Sequence, residues 1–171
     1  YGLELTIAHV ERKGLVLHTQ TMEAEKFYRN ALKKEVYHME PLNSLEQAKK
    51  AVMLLDSKKA TDISLLKVGD LTILADYFVI CSGNSNTQVR ALADTLEDEF
   101  EKIEIRPLSK EGREGYSWVV LDYGEIIVHI FDRPTREFYN LDRHLPAECE
   151  VDISDIIKEI DKKFELNKTE D

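Results

Sequence analysis

Residues 118–131, WVVLDYGEIIVHIF, read as two short strands joined by a tight turn. Tyr123-Gly124 is the expected two-residue turn, because glycine supplies the positive φ such turns need. That turn sets Asp122 opposite Glu125, Val120 opposite Ile127 and Trp118 opposite His129. Side chains alternate along a strand, so these six and Phe131 share one side of the sheet. The other side holds Val119, Leu121, Ile126, Val128 and Ile130, an aliphatic core face. The first face is amphipathic and admits two readings. It is either a sheet face covered by a helix, with its carboxylates at the wet turn, or a docking surface. In the second case the aromatic ring gives area and the charges give specificity.

The segments on either side complete the sheet. Tyr77–Cys81 is apolar throughout, as a central strand covered on both faces should be. Ala60–Val68 and Leu71–Ser82 are rich in β-branched and apolar residues, with Gly69-Asp70 between them. Ser44-Leu45-Glu46-Gln47 is a capping-box pattern, followed at helical spacing by Ala48, Val52 and Leu55. Ser85-Asn86-Thr87-Gln88 repeats the pattern ahead of the stripe Val89, Leu92, Leu96, Phe100 and Ile103. Ile103–Pro107 is expected to be a strand and Ser109–Gly115 a polar loop. Arg133-Pro134-Thr135 opens a helix with Phe138 and Leu141 inward. Ile153, Ile156, Ile157, Ile160 and Phe164 line a last helix, and residues 167–171 fray. Strands interspersed with helices, one hairpin among them, predict an α/β domain with a mixed sheet and flanking helices.

The 171 residues fit one ordinary domain with an appendage. No apolar run approaches the ~18 residues of a membrane span. Tyr1 opens the chain where Met would be expected, as in a fragment or a processed protein, and neither a signal nor a transit pattern follows. Residues 1–40 carry six basic and six acidic residues, so the whole net charge of −10 lies in residues 41–171. Such an acidic domain is ill suited to gripping phosphates and is expected to show no direct nucleic-acid specificity. It suits a basic protein partner, or simple solubility. Cys81 and Cys149 form no CxxC, and the five His lack metal-ligand spacing, so two reduced thiols in a cytoplasmic protein are expected.

Catalytic readings run out of parts. His129 near Asp122 or Glu125 would offer acid–base chemistry, but no Gly-x-Ser-x-Gly nucleophile occurs. Cys81 sits in an apolar run that disfavours its thiolate. Gly83-Asn84-Ser85 before a helix could receive a phosphate, yet no P-loop lysine accompanies it. No Asp-x-Asp or Asp-x-Glu pair lies in the expected strands. No catalytic residue, metal ligand or cofactor is therefore expected.

Several blocks resemble a known family. Lys59-Ala60-Thr61-Asp62-Ile63 is similar to the opening of the ribosomal silencing factor, or Iojap-like, family. Ala75-Asp76-Tyr77-Phe78-Val79-Ile80-Cys81-Ser82-Gly83-Asn84-Ser85 resembles its best-known signature. Glu111-Gly112 with Trp118–Gly124, Val128–Phe131 and Arg136-Glu137-Phe138-Tyr139-Asn140-Leu141 follow in order. The resemblance implies a small mixed-sheet fold of nucleotidyltransferase-like shape without that class's catalytic residues. It also implies a repressor of translation under nutrient limitation. Such a protein binds the large ribosomal subunit through its fourteenth protein, blocks joining of the small subunit, and is often a homodimer when free. On that reading the partner-binding residues are Trp118 as anchor, Asp122 and Glu125 toward basic side chains, Tyr123 from the turn, His129 behind the Trp, and Arg136. Arg136 has a structural role as its alternative. A nucleotide-handling enzyme, or a module whose hairpin face only self-associates, are the competing functions.

The sequence also departs from the family. Asp142-Arg143-His144-Leu145-Pro146 stands where Leu-Trp usually follows the Tyr-x-Leu block. The silencing-factor domain is placed at 44–166 and a helical extension at 1–40. Leu5–Ile7, Lys13–His18 and Thr21–Ala24 in that extension resemble the C-terminal tail of HD-domain phosphohydrolases, without their paired His-Asp metal residues. The extension is read either as a fusion remnant or as an ordinary helical addition.

Overall fold

The computed structural model describes residues 42–159. The expectations for residues 1–40 and for the tail beyond 159 lie outside them. Among the described residues, six strands form one sheet in the order β3-β4-β5-β2-β1-β6. They are β1 (Thr61–Lys67), β2 (Tyr77–Gly83), β3 (Ser109–Glu111), β4 (Trp118–Asp122), β5 (Ile126–Asp132) and β6 (Glu150–Val151). β2 and β5 run parallel at the centre, and the other pairs are antiparallel. The expected mixed α/β sheet is the observed one.

Helices α1 (Ser44–Ser57) and α2 (Asn86–Glu101) cover one face. α1 buries Ala48, Ala51, Val52 and Leu55, and α2 buries Val89, Leu92, Ala93, Leu96 and Phe100. These meet Val79, Cys81, Val119, Leu121, Ile126, Val128 and Ile130 in a single core. Each large side chain buried there contributes roughly 1.5–3 kcal/mol. A smaller cluster of Leu66, Val68, Ile80 and Phe131 lies elsewhere in the sheet, with Phe78, Trp118, Leu141 and Leu145 packed on it. The alternation predicted for the hairpin therefore holds: odd residues of β4 pack under the helices, even residues on the opposite side.

The turn is shifted by one residue from its expected place. Tyr123 N–H donates to Ile126 O at 2.9 Å, so the two loop residues are Gly124 and Glu125. Trp118 pairs with Phe131, Val120 with His129 and Asp122 with Ile127. The cause is local. Asp122 Oδ1 accepts from Gly124 N–H at 2.8 Å, and Gly124 takes φ +84° at the first loop position. Sliding the pairing by two residues keeps every strand side chain on its face and changes only its cross-strand neighbour, while Glu125 passes into the loop.

Other boundaries moved for similar reasons. Asn43, not Ser44, caps α1: its Oδ1 accepts from Glu46 N–H and its own N–H donates to Glu46 Oε2. Gln47, freed from capping, turns inward. Ile103–Pro107 is not a strand; Glu104 turns left-handed after α2, and the edge strand is Ser109–Glu111, inside the expected loop. Residues 70–76 form turns rather than the start of β2, closed by Val68 N–H and Gly69 N–H donating to Asp76 O. Helix α3 (Arg133–Tyr139) is capped by Asp132 and stops at Asn140 in a left-handed conformation. Its Phe138 is 81% exposed and not inward. With only seven residues, the helix lacks the length for an inner stripe that includes both Phe138 and Leu141.

Candidate functional site

Trp118 begins β4, opposite Phe131, and the two rings stack at 4.8 Å. Tyr139, from the last turn of α3, tilts against the same indole at 4.8 Å, and Phe138 meets Tyr139 edge-on. The indole Nε1–H donates to His129 Nδ1 at 3.2 Å. His129 is only 8% exposed, and burial pushes its imidazole down to about 4. It is neutral at pH 7. Phe78 closes on its ring at 5.1 Å. An aromatic chain thus runs from buried Phe131 and His129 through half-buried Trp118 to exposed Phe138. Val120 and Asp122 continue the face along β4.

The six expected partner-binding residues divide. Trp118 and His129 touch, though diagonally rather than as a cross-strand pair. Asp122 shares their face, with one carboxylate oxygen held by the turn. Tyr123 and Glu125 require correction. Tyr123 is 7% exposed and packs on Phe100 of α2 at 4.9 Å, where burial pushes its phenol up. Glu125 occupies the turn and accepts from Gln47 Nε2 of α1 at 3.0 Å, which draws it toward the helices. Both follow from the shifted turn. Asp122 and Glu125 are accordingly not the facing acidic pair that the earlier turn required.

Arg136 serves the structural alternative in its geometry. Its guanidinium donates to Asp62 O at 2.8 Å, to Ser82 Oγ at 3.1 Å and to both carboxylate oxygens of Asp142. One side chain thereby ties the irregular start of β1, the end of β2, α3 and the 3-10 turn Leu141–His144. Burial alone would raise the Asp142 carboxyl; the hydrogen bonds and charge of Arg136 outweigh it and hold that group below the usual carboxylate range. The departure at Asp142 therefore supplies a partner for Arg136.

Sequence reasoning missed Phe138 and Tyr139. The signal was their adjacency at the end of a short helix, which cannot bury two neighbouring rings on one side. The alternative chemistries find little to work with. Cys81 is buried and its thiol is pushed up to about 12, despite the nearby Arg136 charge. At the N-terminus of α2, Ser85 Oγ accepts from Gln88 N–H and Gln88 Oε1 accepts from Asn84 N–H, so capping occupies the groups a phosphate would meet. Among the described residues, no group of three or more His, Cys, Asp or Glu side chains could hold a metal ion, and no helix is long and apolar enough to cross a membrane.

A family model described as ribosomal silencing factor during starvation matches residues 41–171. The chain belongs to the ribosomal silencing factor family. It is 36% identical over 102 residues to the ribosomal silencing factor of Bacillus subtilis, covering 60% of this chain and 86% of that one. It is 33% identical over 95 residues to mouse mitochondrial assembly of ribosomal large subunit protein 1, covering 54% of this chain and 42% of that one. A crystal structure from Chromobacterium violaceum superposes with a TM-score of 0.59 at 29% identity, over 60% of this chain and 86% of that one. One from Bacillus halodurans gives 0.53 at 35% identity, over 60% and 92%. Family membership confirms the resemblance carried by the Ala75–Ser85 and Trp118–Gly124 blocks.

Proposed function

We propose that this protein represses translation by docking on the large ribosomal subunit and standing in the way of the small one. Family membership over residues 41–171 is the observation that carries this reading. The aromatic face supplies its physical means. Trp118, Tyr139 and Phe138 offer anchors of the kind that dominate binding energy, with Asp122 at their margin. The net charge of −10 favours a basic partner, and the fourteenth large-subunit protein is the one proposed. Repression then needs no bond-making: a bound domain occludes the joining surface. Nutrient limitation is the proposed occasion, the cytoplasm the proposed place, and a homodimer the proposed form of the free protein.

A sucrose gradient tests the reading. Added protein should co-sediment with large subunits and deplete whole ribosomes in favour of free subunits. Protein that stays at the top of the gradient, with ribosomes intact, would overturn it.

A further inference from the structure

Trp118 is the single tryptophan of the chain, and its indole N–H is spent inside the protein, on His129 Nδ1. An imidazole that accepts at Nδ1 while neutral carries its own proton on Nε2. That second N–H is buried and has no hydrogen-bonding partner among the described residues. Its ring is packed among rings: Phe78 at 5.1 Å and Phe131 at 6.3 Å. A buried donor without an acceptor weakens a fold, so an apolar ring would suit these surroundings better. The imidazole supplies one thing that an apolar ring cannot, the acceptor for Trp118. Stacking on Phe131 and Tyr139 holds the indole by non-directional contact, whereas a hydrogen bond fixes its orientation.

We propose that His129 is a positioning residue of the docking face: its Nδ1 orients the Trp118 indole and occupies the indole's only hydrogen-bonding group, so that the partner meets an oriented apolar ring. Selectivity at this point then favours aliphatic or cationic side chains over hydrogen-bond acceptors, because no indole donor is left to offer. The docking half of this statement rests on the function proposed above; the orienting half does not.

The indole N–H resonance of the 15N-labelled full chain reads the orienting half directly. His129→Phe keeps an aromatic ring and removes the acceptor. In it the resonance should move and its exchange with solvent should accelerate by roughly tenfold or more. His129→Asn places Oδ1 near the position of Nδ1 and should restore both. Should the Phe variant fail to fold, His129→Gln, with its polar group near the Nε2 position only, asks the same question. Titration of isolated large ribosomal subunits reads the docking half. Affinity should fall roughly fivefold or more in His129→Phe and recover in His129→Asn. An unmoved, equally protected indole in His129→Phe overturns the orienting role. A displaced indole with unchanged affinity overturns its use in docking. If the unsubstituted protein does not bind large subunits at all, the function proposed above falls, and the indole resonance still decides the coupling of His129 to Trp118.

Discussion

His129 shows how one side chain links acidity to stability. Burial lowers its folded pKa to about 4, against 6.5 for an ordinary histidine. The unfolded chain therefore binds the extra proton first as pH falls. Stability is fully present above about pH 6.5 and drains away as pH falls through about 4, by about 3 kcal/mol. Urea unfolding from pH 7 to pH 4 should show this as a difference between the parent and His129→Phe, since other acid-sensitive groups are common to both. Parallel stability profiles for the two proteins would refute it. The same ring marks a limit of reading sequence. Alternation alone put His129 on the Trp118 side, because a strand's period of two is insensitive to where the turn falls. Its actual bond to Trp118 depends on which residues pair, and that depends on one side-chain contact, Asp122 to Gly124 N–H. Tyr123, flanking the turn, and Glu125, inside it, were illegible for the same reason.

Two connections decide how the elements are held, and each can be cut. Gly112 lies between β3 and β4 at φ +85°, and a Cβ there would stand 1.7 Å from the Trp118 carbonyl oxygen. Backbone cannot yield as a side-chain tip can. Gly112→Ala should cost about 2–4 kcal/mol in denaturant unfolding, with a changed Trp118 emission spectrum from displacement of β4. Arg136 is the second connection. Its side chain is 11% exposed and that of Asp142 28%, so their pairing is partly screened. Arg136→Met should destabilise by about 2–3 kcal/mol, less than a fully buried pair would lose, and Arg136→Met in an Asp142→Asn background should cost measurably less. Equal losses in both backgrounds would show that the pair is not coupled. Helix existence was legible here because α1 and α2 carry long apolar stripes at 3.6-residue spacing. Short elements were not. β3 has three exposed residues and α3 has seven, too few for periodicity to separate inside from outside.

At the scale of the molecule, the sheet has one face closed by two helices and another bearing the aromatic chain. If the proposed docking is right, Trp118→Ala and Phe138→Ser should each weaken binding to large subunits by more than about 1 kcal/mol. Phe138→Ser should do so with thermal stability nearly unchanged, because its ring is exposed. Affinity should also decline with added salt, as an acidic protein on a basic partner requires. Salt-independent binding, or full affinity in Phe138→Ser, would count against this face. The family blocks made the fold readable, but Phe138 was misjudged because exposure of a ring is decided by where the chain ends a helix.

The edges of the sheet carry a further consequence. One edge is β3, three exposed residues whose Lys110 is bound to Glu97 of α2; the other is β6, two residues long. Neither offers a run of free backbone long enough to template another strand, and charge on β3 discourages the attempt. Growth of the sheet from molecule to molecule is thus discouraged at both of its described ends. The rims that drive fibrous association in other sheet proteins are blunted here by short, charged edge strands.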